Sequence, residues 1–364
     1  MLILSKEFDL DLERINDKSV QNNENNFLVK KDNMSIVLPL VSSGFEPGHA
    51  QETVDSFTDK DYKNIAQAEL YYFQGEAEKC SRIVEVYLLD SRLDVKLSAC
   101  LLYAYANLTL GDTKASQRAF TEIQSLAETE MKNPSSKENF VFAFFSAYLS
   151  AVLLHLPYDN LPNYMDYIEY LPKGLRFFAA YIIAHAVYLK GDYARALGIC
   201  QSAIAFRDET YPISFVYIYI LVAMCQINQK RTDVAQQTLL KAWHIAEQDK
   251  LLEPFIEHHG LLQGLLESCI KKENPQIFKK LSDGVIAFSR GWMAIHNPHS
   301  EHKVTDELTT MEFTIAMLAC RDWQNKEIAD YLGLSPNTVK HYLSDIYSKL
   351  NVEKRDELKN LVNR

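Results

Sequence analysis

A tight turn between two helices recurs along this chain, and that recurrence limits the fold more than any other feature. Four segments share one shape: a helix end rich in Tyr or Leu, a turn, then a second helix with a small residue near its start. They are Tyr71-Tyr72-Phe73-Gln74-Gly75-Glu76, Leu108-Thr109-Leu110-Gly111-Asp112, Val187-Tyr188-Leu189-Lys190-Gly191-Asp192-Tyr193 and Cys225-Gln226-Ile227-Asn228-Gln229-Lys230. Five residues beyond Gly75, Gly111, Gly191 and Lys230 stand Cys80, Ser116, Ala196 and Ala235, each small enough for two helices to approach closely. Glycine suits the turn because a helix closes most easily on a left-handed residue, which glycine adopts without a Cβ clash. The fourth turn has Lys230 in the glycine position, so Asn228 is the expected left-handed residue there.

The glycine turns lie 36 and then 80 residues apart. The longer gap suits one degenerate unit, with helices around Ala147–Leu154 and Tyr164–Leu171 and Pro157 in their turn. A period of about 34–40 residues with two helices per unit is that of a tetratricopeptide-type solenoid. The expected fold is therefore all-α: a tetratricopeptide-like α-hairpin solenoid followed by a four-helix C-terminal domain. Residues 1–58 read as a partly irregular N-terminal segment, 59–291 as the helical repeats, 292–307 as a linker and 308–364 as the C-terminal domain.

Within the first segment, Gln21-Asn22-Asn23-Glu24-Asn25-Asn26 is a polar tract with no apolar side chain to bury. Ser35-Ile36-Val37-Leu38-Pro39-Leu40-Val41 reads as a short apolar extended stretch, and Pro39 argues against a central strand. The acidic start (Glu7, Asp9, Asp11, Glu13) does not resemble a signal peptide. The apolar run Phe140–Leu156 is interrupted by Ser146, Ser150 and His155 and is too short to cross a bilayer, so a buried helix is expected. The six cysteines form no CxxC pair and read as small buried hydrophobes in a reducing cytoplasm.

The C-terminal segment carries the chemistry. Glu312–Ala319 and Asn325–Leu332 read as two short helices, and Gly333-Leu334 as a sharp turn. Ser335 is an N-cap, and Pro336 sits at the first helical position, where its missing N–H costs nothing. A third helix then runs to about Leu350. Val339, Leu343, Ile346 and Leu350 share one stripe and belong to a core. Asn337, Lys340, His341, Ser344 and Ser348 share the other, and such side chains can donate to base edges or phosphates in a major groove. A short helix, a sharp turn and a capped helix with a polar outer face point to a helix-turn-helix binding double-stranded DNA.

At Leu308-Thr309, Asn325-Lys326-Glu327-Ile328-Ala329, Leu332-Gly333-Leu334-Ser335, Thr338-Val339-Lys340 and Lys349-Leu350-Asn351-Val352, the segment resembles LuxR/FixJ/GerE-type transcription factors. The resemblance implies that Lys340, His341 and Ser344 face bases, that Asn325, Lys326, Thr338 and Lys349 hold phosphates, and that a last helix, Arg355–Val362, pairs two copies. Tyr342 stands where that family usually has His, and Asn351 where it usually has Gly. Asn tolerates the left-handed conformation, so the second change is mild. Ser344 replaces a longer or basic residue of many members.

Charge bears on the same reading. Residues 308–364 carry eight Lys/Arg and eight Asp/Glu, while the other 307 residues carry 30 and 40. The whole net charge of −10 thus sits outside the C-terminal segment, and that body is repelled by DNA.

The helical body resembles, through Leu251-Leu252-Glu253-Pro254-Phe255-Ile256-Glu257-His258-His259-Gly260, the sensor region of MalT-type regulators. Those regulators carry an ATPase module, but no GxxxxGK[ST] phosphate loop occurs here, and no cofactor is expected. The repeats are expected to receive a peptide, protein or small-molecule effector. Tyr103, Tyr148, Phe177, Tyr181, Tyr188, Tyr217 and Tyr219 line the inner helices, mostly as packing. Tyr148, Tyr181, His185 and Tyr219 are the candidate effector surface.

His296, His299 and His302 have a metal-like spacing, but a solvated linker around Pro298 accounts for them. His258-His259 with Glu253 and Glu257 lack a nucleophile or oxyanion motif, and an exposed polar helix end is expected instead of an active site. The expectation is a non-enzymatic, cytoplasmic bacterial transcription regulator, acting as a homodimer without membrane attachment. The competing reading is an interaction scaffold whose helix-turn-helix serves dimerisation.

Overall fold

A computed structural model describes residues 35–154, 167–207, 209–271, 274–296, 308, 310–320, 323–332 and 334–362. The tract 21–26, Pro157, Gly333, His299 and His302 lie outside the described residues, as do the acidic start and the side chain of His296. Among the described residues the regular structure is entirely helical.

After a short helix α1 (Ala50–Ser56), helices pair as hairpins: α2 (Lys60–Phe73) with α3 (Ala77–Val84), and α4 (Leu93–Leu110) with α5 (Thr113–Lys132). Next comes α6 (Lys137–Leu153), then α7 (Lys173–Leu189) with α8 (Tyr193–Ala205), and α9 (Pro212–Asn228) with α10 (Thr232–Asp249). The body ends with α11 (Glu253–Leu262), α12 (Leu265–Cys269) and the long α13 (Pro275–His296). Four helices follow in the C-terminal segment: α14 (Thr310–Cys320), α15 (Asn325–Leu332), α16 (Pro336–Lys349) and α17 (Arg355–Val362).

The turns work as their sequence requires. Gly75, Gly111 and Gly191 are left-handed, with φ of 73°, 77° and 81°. The Asp after two of them caps the next helix: Asp112 accepts the N–H of Ala115, and Asp192 that of Arg195. In the fourth turn the left-handed residue is Lys230 itself, with φ 60°. Asn228 remains helical, and its amide donates to the Tyr188 hydroxyl and the Met224 carbonyl instead. Cys80, Ser116, Ala196 and Ala235 are all fully buried where hairpin arms meet.

The first helices of successive units, α2, α4, α6, α7 and α9, pack side by side as an inner layer. α6 and α9 are apolar all round and correspondingly buried, whereas α5 has one buried face only. No described helix is long and apolar enough to cross a membrane. The cysteines are free, and all but Cys269 are buried.

Among the described residues, the chain's own later helices pack on the inner layer. α11 packs against α2 and α9, and α13 against α4, α5 and α11. Gly291 of α13 sits so close to the Leu108 carbonyl that a Cβ would overlap it, and Gly284 lies against the end of the Ile256 side chain. Glu253, His258 and His259 are consequently buried, which corrects the exposed helix end expected from sequence.

His259 pairs with Glu267 at 2.9 Å, while Glu257 and His258 meet inner-layer hydroxyls. Glu257 accepts from Tyr217 at 2.8 Å and from Tyr72. Burial pushes its carboxyl up to about 7, against the opposing pull of those two hydroxyls. Burial and the neighbouring Glu257 also raise Glu253 well above the usual carboxylate range. His258 Nδ1 lies 2.7 Å from the Pro254 carbonyl, which can only accept, so that nitrogen carries the proton. In neutral His258, Nε2 then accepts from the Tyr181 hydroxyl at 2.7 Å, and His185 Nδ1 donates to the same hydroxyl at 3.0 Å.

The aromatic surface expected for an effector is largely interior. Tyr181 is 0%, His185 2% and Tyr148 9% exposed, while Tyr219 is partly exposed. The residue pattern could show that these rings line the inner layer. It could not show that α11 lies on Tyr181 and His185, because that contact joins units far apart in sequence.

The N-terminal stretch also differs from expectation. Ile36–Ser43 is a compact turn with Leu38 left-handed (φ 49°), and Ser42 N–H bonds back to Leu38 O at 2.8 Å. Val37, Leu38, Leu40 and Val41 are all buried, because the turn is pressed into the end of the inner layer.

Candidate nucleic-acid interface

The C-terminal helices close around Ile315, Ala316, Leu318, Ala319, Ile328 and Ala329, which are almost wholly buried. α16 adds Val339, Leu343 and Ile346 to that core, and α17 adds Leu358. Leu350, expected in the same stripe, is only partly buried at the helix end. Ser335 caps α16 through a 3.0 Å bond from Thr338 N–H, and Pro336 occupies the first turn. Each terminal N–H so satisfied removes an orphan donor and fixes where the helix starts. At the far end Asn351 is left-handed, with φ 51°.

Fixing one face of α16 in the core leaves the other in solvent. Asn337, Lys340, His341, Ser344 and Ser348 are all exposed, and Thr338 is half-buried beside the cap. This is a continuous polar stripe on a helix whose start is fixed by the Ser335–Thr338 cap. A protruding helix of this kind has the width and polarity to enter a B-DNA major groove. α15 presents Lys326 in the open and Asn325 half-buried at its first turn.

Two of the expected phosphate-holding residues are engaged inside the domain. The Lys349 ammonium lies 2.8 and 2.7 Å from the two oxygens of Glu312, whose side chain is only 7% exposed. That ion pair joins the end of α16 to α14 and gives Lys349, expected to hold a phosphate, a partner within the domain. Asn325 Oδ1 accepts from Arg355 at 2.9 Å, and the same guanidinium donates to the Trp323 carbonyl at 2.9 Å. Arg355 therefore orients Asn325 and ties α17 to the start of α15. Sequence reasoning assigned Arg355 only to the pairing helix; its signal was a lone arginine at a helix start.

The matches with known proteins fall on this region. Residues 306–362 match the family model of bacterial regulatory proteins, luxR family. A 112-residue stretch is 30% identical to the uncharacterized response regulatory protein YgeK of Escherichia coli K12, covering 75% of that protein and 29% of this chain. The chain belongs to the luxR family of bacterial regulatory proteins. It is also 32% identical over 90 residues to the probable transcriptional regulatory protein SgaR of Hyphomicrobium methylovorum. That match spans 40% of the relative and 23% of this chain. No solved structure matches.

The luxR-family domain rests on the body without covering its outer stripe. Lys230, in the turn after α9, pairs with Glu327 of α15 at 2.8 Å, and its ammonium lies 6.0 Å from the Trp323 ring centre. The Lys230 hydrogen bond, with that from Gln324 N–H, holds the Glu327 carboxyl below its usual range. α11 packs against α14. All these contacts use α14 and the start of α15, and the exposed side chains of α16 point elsewhere.

Proposed function

We propose that the protein is a bacterial transcription regulator whose luxR-family domain reads double-stranded operator DNA as a homodimer, under control of the helical body. The observation that carries this reading is the exposed stripe Asn337, Lys340, His341 and Ser344 on a helix whose other face is locked into a core. Lys340, His341 and Ser344 take the base-facing role, and Lys326, Asn325 and Thr338 the backbone-holding one. Lys349, paired with Glu312, contributes to domain stability in place of a phosphate contact. α17 is the pairing helix. The body receives a peptide, protein or small-molecule signal and does no chemistry itself. The printed name of the SgaR relative, a probable transcriptional regulator, agrees with this role.

Selection of genomic fragments by the purified full chain tests the reading. A recurrent inverted-repeat motif is expected, and Lys340→Ala should weaken binding to it by about 1–3 kcal/mol. The even charge of residues 308–364 favours the alternative of a dimerising scaffold. No enrichment, with Lys340→Ala indistinguishable from the parent, would remove the regulator reading and put that alternative first.

A further inference from the structure

The turn Ile36–Ser43 is held largely by side chains of other elements. Its buried backbone amides are received by side chains of the inner layer. Ile36 N–H donates to Asp94 Oδ2 at 2.8 Å, and Leu38 N–H to Ser98 Oγ at 2.9 Å. Leu40 and Val41 N–H donate to the two oxygens of Glu69, at 3.0 and 2.9 Å. Glu69 is fully buried, and none of the ion pairs among the described residues includes it. At that position the two Glu69 oxygens are met by backbone amides of the turn, which makes the side chain a recognition group for a backbone.

The seat extends beyond these two helices. Gly174, at the start of α7, approaches the Ser42 carbonyl so closely that any Cβ would overlap it. Phe45 N–H donates to the Thr210 carbonyl at 3.0 Å. Asp249, at the end of α10, accepts from Gly48 at 2.7 Å and Ala50 at 3.0 Å. One short peptide stretch thus touches elements from α2 to α10, reading backbone by carboxylates and placing aliphatic side chains in the interior. This is how a helical repeat array would hold a separate peptide, with side-chain acceptors replacing the strand or helix partners a backbone normally has.

We propose that this seat is a peptide-binding site, filled in cis by residues 36–45. A partner protein presenting an apolar turn of the same backbone geometry displaces that segment. The inference rests on the signal-receiving role of the body given above and identifies where the signal docks. The ligand class is an aliphatic peptide turn with free amides at the positions of Leu38, Leu40 and Val41. Covalent attachment gives the resident segment a high effective concentration, so a free peptide competes poorly until the segment is loosened.

The test uses the full chain and a fluorescein-labelled synthetic peptide of residues 35–46, read by anisotropy, so that DNA binding plays no part in the outcome. Val41→Pro in the chain removes one of the two N–H groups that Glu69 accepts and loosens the resident segment. The labelled peptide should bind this variant at least tenfold more tightly than the parent. Adding Glu69→Gln, read at pH 9 where Glu69 is ionised and the amide by contrast leaves a single acceptor oxygen, should abolish the gain. Equal binding to the parent and Val41→Pro, or binding indifferent to Glu69→Gln, would overturn the proposal.

Hydrogen exchange on the unaltered chain gives a second readout if Val41→Pro does not fold. The Leu40 and Val41 amides should exchange through an opening that leaves α2 and α4 protected. Exchange only together with those helices would make the segment a permanent part of the core and overturn its displacement. Failure of DNA binding with success of either readout would leave the seat standing and remove only the regulator reading.

Discussion

Single side chains set both the stability and the recognition chemistry. Ser335→Ala removes the cap on α16 and should cost about 1 kcal/mol in chemical denaturation of the C-terminal domain. Lys349→Met should cost more than an ordinary surface change, because it leaves the buried Glu312 without its cation. Three raised carboxyls of the body, Glu69, Glu253 and Glu257, give a pH signature. Glu69 is raised to about 8 and Glu257 to about 7, both mainly by burial. The folded state therefore keeps protons that the unfolded chain releases above pH ~4.5. The contribution of Glu69 and Glu257 is complete below that pH and is lost as pH rises through about 7–8. Urea midpoints should fall from pH 5 to pH 8.5, and Glu69→Gln should flatten that slope. At this scale the sequence was legible where local rules act: the Ser335 cap, the left-handed Asn351 and the core stripe of α16 all follow from neighbours a few residues away. The Lys349–Glu312 pair was not legible, because Glu312 sits on a different helix.

Helices and turns follow the sequence pattern closely when one element's own residues decide them. α15 has the expected bounds, and the glycine turns are left-handed as their position in the repeats requires. What the pattern lacked was the fate of the inner face. Periodicity says that a face is apolar, and it is silent about which later helix covers it. α11 and α13 supply that cover, and the two glycines of α13 are where its backbone comes closest. Gly291→Ala should destabilise the body by about 1–3 kcal/mol, since its methyl must displace the Leu108 backbone. Gly198→Ala has open space and helical backbone and should be neutral or slightly stabilising. Thermal unfolding of the two variants side by side checks the contrast.

Across the whole molecule, the body contacts α14 and α15 but leaves the outer face of α16 in solvent. If it weakens DNA binding in this arrangement, it does so through its net charge of −10 and not through steric cover. The full chain and the isolated 304–364 segment should then differ at low salt and converge, to within about threefold, near 0.3 M salt, where charge repulsion is screened. A difference that persists at high salt would require a covering contact. The arrangement of the body has its own consequence. Residues 48 and 50 are pinned to Asp249, Lys280 reaches the carbonyl of Gln74, and α13 lies along α4. An array tied from its first unit to its last behaves as a closed ring. An open array can lose or gain a unit and melt from an end, since each unit answers only to its neighbours. Here the ends hold each other, so the body should melt in one transition, and excising a single hairpin should unfold all of it.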